Sequence, residues 1–313
     1  MAIIRGKYII HLSGLHTSLN DAPRRGIALM VTAMLVLAIM DALSKWLSTR
    51  YPVAQIVAVR FFVFTIFALA IARPRRIAEA FATRQLGWQI ARGLALIAEV
   101  TVFVLALRAL PLADVHAIAG VAPLLVTGLA VLCLGETVNR KQWIAIGAGF
   151  AGLLVIIRPG AIGTDVLTLL PLLGAGLWAV YQILTRKVST DRASVSLFFV
   201  ALIGFFVSGC VAPFVWVTPD AQGWALLVTL GLLGSLGHYL VIAAFRIASA
   251  SSLQPYHYTL LVWATLLGAL VYGDVPDGWT IVGALIIVLS GIYCLRAHPS
   301  RRETTLERRP SDV

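Results

Sequence analysis

A segment that begins at Arg108 and reaches a glycine-acid pair at Gly135-Glu136 returns as a segment from Arg246 to Gly273-Asp274, and both spacings are 27 residues. In each copy a short break precedes an apolar run, the glycine-acid turn closes it, and a tryptophan (Trp143, Trp279) stands near the start of a further apolar run. The chain is therefore a tandem duplication. If each copy crosses a membrane an odd number of times, the second must enter the bilayer upside down relative to the first. That arrangement is an inverted repeat, common among secondary transporters.

A membrane is required by composition. Hydrophobic residues make up 59% of the 313 residues, charged residues 12%, and the mean hydropathy is +0.90, which excludes an ordinary soluble domain. About 20 mostly apolar residues cross ~30 Å of hydrocarbon as a helix. Ten such runs can be read, at 26–46, 54–72, 88–109, 112–134, 142–157, 166–185, 195–217, 224–247, 252–272 and 279–295. With the N-terminus in the cytoplasm, 19 of the lysines and arginines fall inside and three, Arg50, Arg108 and Arg158, fall outside; Lys45, Arg60 and Arg92 lie within or at the ends of spans. That bias is the positive-inside pattern for ten spans with both termini cytoplasmic. The expected fold is an all-α membrane protein of two inverted five-helix repeats, 26–160 and 161–295, around a central cavity. A cytoplasmic tail, 1–25, precedes them and a polar one, 296–313, follows. No cleavable signal is expected in the first 22 residues, where His11, Ser13 and His16 interrupt the apolar patch.

The net charge of +11 sits in loops and tails where it orients helices, so no nucleic-acid partner is implied. Cys133, Cys210 and Cys294 lie in apolar runs without metal-ligand spacing, and are expected to be buried thiols. The chain lacks a phosphate-binding G-x-x-x-x-G-K-[ST] loop, a G-x-S-x-G elbow and an H-E-x-x-H helix. Neither ATP-driven transport nor catalysis is expected, and no cofactor or metal.

The motifs Asp41-Ala-Leu-Ser-Lys45, Arg60-Phe-Phe, Ala106-Leu-Arg-Ala-Leu-Pro-Leu-Ala113, Ala122-Pro-Leu, Leu134-Gly-Glu136, Gly149-Phe-Ala-Gly152, Arg158-Pro-Gly, Ala264-Thr-Leu-Leu-Gly268 and Gly273-Asp274 together resemble the drug/metabolite transporter superfamily, in its ten-span EamA-type branch. The resemblance runs from about Gly26 to Leu295. It implies transport of small metabolites across the bacterial inner membrane through a cavity that faces each side in turn. Amino acids, cofactors such as riboflavin and nucleoside-like compounds are all substrates of that family type.

An ionisable group in hydrocarbon costs ~2.5–3.5 kcal/mol on insertion scales, so each asks for a partner or a purpose. Glu99, midway through the third span, is the sharpest candidate for substrate contact or proton coupling, with Arg92 seven residues earlier on roughly the same face. Asp41 and Lys45, four apart, are placed to pair, and Arg60 lies at similar depth in the second span, so a three-charge cluster is expected. A structural clamp explains that cluster as well as substrate binding does. Trp178, Tyr181 and Gln182 share a face of the sixth span and suit a planar substrate. His238, with Tyr239, is a candidate proton carrier; Tyr256, His257, Tyr258 and Trp263 add polar rings in the ninth span. His116 beside Asp114 reads as a helix cap. Glycines 147, 149 and 152, and 231, 234 and 237, mark close helix contacts, and Pro123 a kink. Such glycine faces serve contacts within one chain and between copies alike.

The leading expectation is a secondary transporter, coupled to a proton or ion or working by exchange. The alternative, a lipid-handling membrane protein or an enzyme acting on a headgroup, calls for polar residues gathered at one interface.

Overall fold

The computed structural model describes residues 13–72, 79, 81–135, 140–157, 166–188, 191–247, 253 and 256–296. Glu136, the 158–160 turn, the arginines at 73–76 and the tail beyond 296 lie outside the described residues. Every element among the described residues is helical. The first half holds α1 (Ser13–Ser48), α2 (Val53–Ala72), α3 (Leu86–Ala109), α4 (Leu112–Ala119), α5 (Ala122–Leu134) and α6 (Arg140–Ile157). The second half holds α7 (Leu169–Lys187, after a 3-10 turn at Val166–Thr168), α8 (Ala193–Val211), α9 (Ala221–Ile247), α10 (Thr259–Leu267, continued by a π-turn to Tyr272) and α11 (Gly278–Arg296).

Seven of these helical stretches are long and apolar enough to cross a membrane, and three, at 143–157, 259–272 and 278–293, are shorter. Their outward faces carry large apolar side chains, among them Phe214 at 86% exposure and Leu132 at 80%, which only lipid can accept. Aromatic residues stand at both ends of the bundle. Arg50 lies over Trp46 and Trp216 stacks near Trp224 at one end, while Lys187 lies over Trp88 at the other. The expectation of buried thiols fails for Cys133 and Cys210, which are free and exposed on the outside of the bundle, for the same reason that apolar surface abounds; the Cys294 side chain lies outside the described residues. In a membrane protein an apolar run says what a residue is compatible with, and lipid satisfies it as well as a protein core does.

The duplication is visible in the backbone. Gly135 (φ 66°) and Gly273 (φ 71°) are the two glycines of positive φ among the described residues, and each caps the end of its repeat segment. Only glycine takes this left-handed turn without strain. The fourth run, expected as one helix, is interrupted at Gly120-Val121 between α4 and α5. Pro123 falls at the start of α5, where a missing N–H breaks no helical bond, so it begins a helix instead of kinking one. The repeat partner of Gly120, 138 residues later, is Tyr258, and the helix is interrupted there too, just before α10.

Helix packing follows the same exchange of halves. The most extensive pairings are α6 with α11, α1 with α9, α2 with α8 and α3 with α7; next come α2 with α9, α3 with α8, α1 with α10 and α5 with α7. Swapping each first-half span for its second-half counterpart maps this set onto itself. All of these contacts join one half to the other, so neither half has a core of its own. The residues make this geometry possible: a Cβ on Gly152 of α6 would stand 2.9 Å from the Gly283 carbonyl of α11.

Candidate functional site

A cavity of about 810 Å3, counting the space at its mouth, lies where the two halves meet. Both interrupted helices reach it, through Gly120 and Ala122 on one side and Tyr258 on the other. Breaks of this kind persist in hydrocarbon only where the freed backbone is shielded by protein or faces a polar cavity. Asp41 of α1, Arg60 of α2, Glu99 of α3, His116 of α4, Trp178 of α7, His238 of α9 and His257 bring charge and aromatic surface to the wall.

The charged groups sort themselves differently from the expectation based on spacing. Asp41 does not pair with Lys45. Its carboxylate lies 3.4 Å from His116 Nε2, across to α4. Lys45 turns to the end of the bundle, where it donates to the Leu110 carbonyl at 2.6 Å and stands 3.7 Å from Asp274. The last carbonyls of a helix have no intrahelical donor, and the end of α3 offers them within reach of a long side chain. The expected cluster of Asp41, Lys45 and Arg60 is not formed; Asp41, Arg60 and Glu99 line the cavity together instead.

Arg60 is 4% exposed, and its Nη2 is 3.4 Å from His238 Nε2. Gly234 of α9 makes this possible, because a Cβ there would stand 3.0 Å from Arg60 Nε. His238 stacks on Phe64 and lies 6.0 Å from Trp178, centroid to centroid. Trp178 in turn lies 6.1 Å from His257. Glu99 is half-buried, and the space it meets is the cavity. Arg60 Nε and Trp178 Nε1 are buried in the wall and find no acceptor among the described residues.

Arg92 is not a partner of Glu99. It is fully buried below the cavity, where Nη1 donates to Gln89 Oε1 at 3.2 Å and Nη2 to the Tyr181 hydroxyl at 3.3 Å. Gln89 Nε2 donates to Asp191 and to Ser196, each at 2.9 Å. This network ties α3, α7 and α8 together and sets the nearest carboxylate one residue away from the guanidinium. Nothing in the spacing of Gln89, Asp191 and Ser196 pointed to it.

Of the residues expected to bind substrate, Glu99, Trp178, His238 and Tyr258 line the cavity. Tyr181, Gln182 and Trp263 do not. Tyr181 stands behind Trp178, 5.3 Å between centroids, held by Arg92. Gln182 is buried at 7% exposure, and Trp263 packs against the α1, α2 and α9 core. A shared face covers a wide arc of a helix, and a cavity takes only part of it. His257, read with Tyr258 as a polar ring of the ninth span, also lines the wall; sequence reasoning missed His116 there, together with Phe103, which meets His116 edge-on at 5.3 Å.

Known proteins match along nearly the whole chain. A riboflavin transporter of Vibrio cholerae is 29% identical over 92% of this chain and 99% of its own length. An S-adenosylmethionine uptake transporter of Rickettsia prowazekii is 28% identical over 88% of this chain and 95% of its own. A pseudopaline exporter of Pseudomonas aeruginosa is 27% identical over 88% and 98% respectively. A solved crystal structure superposes with a TM-score of 0.60 at 20% identity, over 88% of this chain and 96% of that one, which shows the fold. These relatives are transporters, and the apolar helices make this chain a multi-pass protein of the bacterial inner membrane. The EamA-like transporter family model matches residues 24–158 and again 166–296, one match to each half. The chain belongs to the EamA-like transporter family, within the drug/metabolite transporter superfamily.

Proposed function

We propose that this chain is a secondary transporter that moves a small, planar, polar metabolite by alternating access, without catalysing a reaction. The observation that carries the reading is the cavity: it lies at the junction of two exchange-related halves and combines Asp41, Glu99 and Arg60 with the rings of Trp178, His238 and Tyr258. Ten spans, as repeats 26–160 and 161–295 with tails 1–25 and 296–313 in the cytoplasm, place that junction near the bilayer midplane. A flat heterocycle stacks against Trp178, accepts from the Arg60 guanidinium and donates to Glu99. Riboflavin and S-adenosylmethionine, named for the relatives, both carry such a ring system. Glu99 and His238 are the groups through which a proton gradient couples to movement, with Asp41 and Arg60 setting their field; Tyr181, Gln182 and Trp263 support the wall.

Purified protein in liposomes is tested for uptake of riboflavin, S-adenosylmethionine and a panel of nucleosides and amino acids, with and without a proton gradient. A saturable flux of one of them, driven by the gradient or by exchange, is expected. Folded protein that moves none of the panel, and whose melting temperature none of them raises, refutes the reading.

A further inference from the structure

Lys45 bridges the end of α3 and Asp274 of the second half. Its ammonium donates to the carbonyls of Leu110 at 2.6 Å and Leu107 at 3.4 Å, on the end of α3, and faces Asp274 of the second half at 3.7 Å. Asp274 accepts from the Leu112 N–H at 3.3 Å, at the start of α4. Tyr272, whose ring lies 5.5 Å from the Lys45 ammonium, donates its hydroxyl to the Ala42 carbonyl of α1. Directly beneath, Ala42, Ala106, Leu107, Leu112, Val115 and Ala264 form a dry layer that meets Phe103 of the cavity wall. Polar ties between the halves thus cap an apolar plug at one end of the cavity.

The opposite end repeats the sequence. Lys45-Trp-Leu-Ser-Thr49 of α1 recurs 141 residues later as Arg186-Lys-Val-Ser-Thr190 of the second half. Arg186 is exposed, whereas the Lys45 side chain is 16% exposed. An inverted repeat supplies an equivalent basic residue at both ends, and a protein open to one side buries one of them while exposing the other.

We propose that Lys45, Asp274 and Tyr272 form the outer latch of the transport cavity, closed in this conformation and broken whenever the cavity opens outward. The latch rests on the transport reading above, and it assigns to Lys45 a role in access and none in holding substrate.

The test uses the full chain in right-side-out vesicles with Cys133, Cys210 and Cys294 replaced by serine and Ala119→Cys as a reporter in the cavity wall. A membrane-impermeant thiol reagent is added from either side. In the parent the reporter is expected to react from both sides, more slowly from outside. Lys45→Met and Asp274→Asn are each expected to raise the outside rate about tenfold, the factor carried by one charge-assisted hydrogen bond, with a lower inside rate. Lys45→Arg is expected to keep the parent rates. A second pair, Lys45→Cys with Asp274→Cys, joined by a short thiol cross-linker, is expected to abolish outside labelling and to recover it on reduction. Unchanged outside rates in both neutral variants, or full outside labelling with the cross-link complete, overturn the latch. A parent reporter that reacts from one side only overturns the transport reading itself.

Discussion

Three single alanine substitutions at glycines test the packing of the two halves, because the same chemical change meets three different surroundings. At Gly231 of α9, a Cβ would stand 2.5 Å from Val63 Cβ and 2.9 Å from its Cγ1. Carbon atoms rest at about 3.5–4.0 Å, so α2 and α9 must move apart by about 1 Å. Val63 is β-branched and close to its backbone, so it cannot swing aside. Overpacking of this kind costs about 1–3 kcal/mol, against a gain of ~0.5–1 kcal/mol from replacing helical glycine by alanine. Gly231→Ala is therefore expected to lose about 1–2 kcal/mol. At Gly234 the neighbours are the far ends of Arg60, at 3.0 Å, and Met40, at 3.2 Å, both bordering the cavity and free to retreat into it. The two contributions there are of similar size, so Gly234→Ala is expected to be within ~0.5 kcal/mol of the parent. At Gly147 of α6 no atom lies within 4 Å, and alanine is expected to stabilise by about 0.5 kcal/mol. Reversible unfolding in mixed micelles, with a denaturing detergent titrated against a mild one, measures all three. A Gly231→Ala protein as stable as the parent, or a Gly147→Ala protein less stable than Gly231→Ala, refutes the claim that glycines set the distance between the halves.

Glu99→Gln is expected to abolish gradient-driven uptake in proteoliposomes while exchange of labelled for unlabelled substrate continues; gradient-driven uptake at the parent rate across pH removes the coupling role. Arg60→Leu removes the cation from the wall that Asp41 and Glu99 also line and is expected to lower stability, with Glu99→Gln in the same chain restoring part of it. Equal stabilities for the single and double variants in the micelle titration would show that the three charges act independently. Tyr181→Phe removes the hydroxyl that accepts from Arg92 and is expected to cost about 1–3 kcal/mol, leaving the ligand-induced melting shift unchanged. A lost shift with unaltered stability would instead put Tyr181 in contact with ligand.

The charged spans show how far spacing carries. Asp41 and Lys45 do share a face of α1, as four-residue spacing requires, yet they take partners on different elements. In hydrocarbon a long ammonium side chain seeks acceptors over several ångströms, and the nearest strong ones are the carbonyls that end α3. Arg92 and Glu99 likewise share a helix and part company: one reaches Tyr181 and Ser196 across the bundle, the other faces the cavity. Trp178, Tyr181 and Gln182 show the same limit on the aromatic side, since Trp178 borders the cavity while its two neighbours are buried behind it.

The 27-residue spacing from Arg108 to Gly135 and from Arg246 to Gly273, with the apolar runs between charged turns, by itself determines a duplicated helical membrane protein. Those features are local or periodic, and hydrocarbon allows few alternatives to a helix. The tertiary structure alone decided that the halves interleave, that α4 and α10 each begin or end at a break beside the cavity, and that Asp41 meets His116 while Lys45 meets Asp274. A buried charge takes the partner that packing brings within reach, and packing between spans far apart in the chain leaves no periodic trace in it.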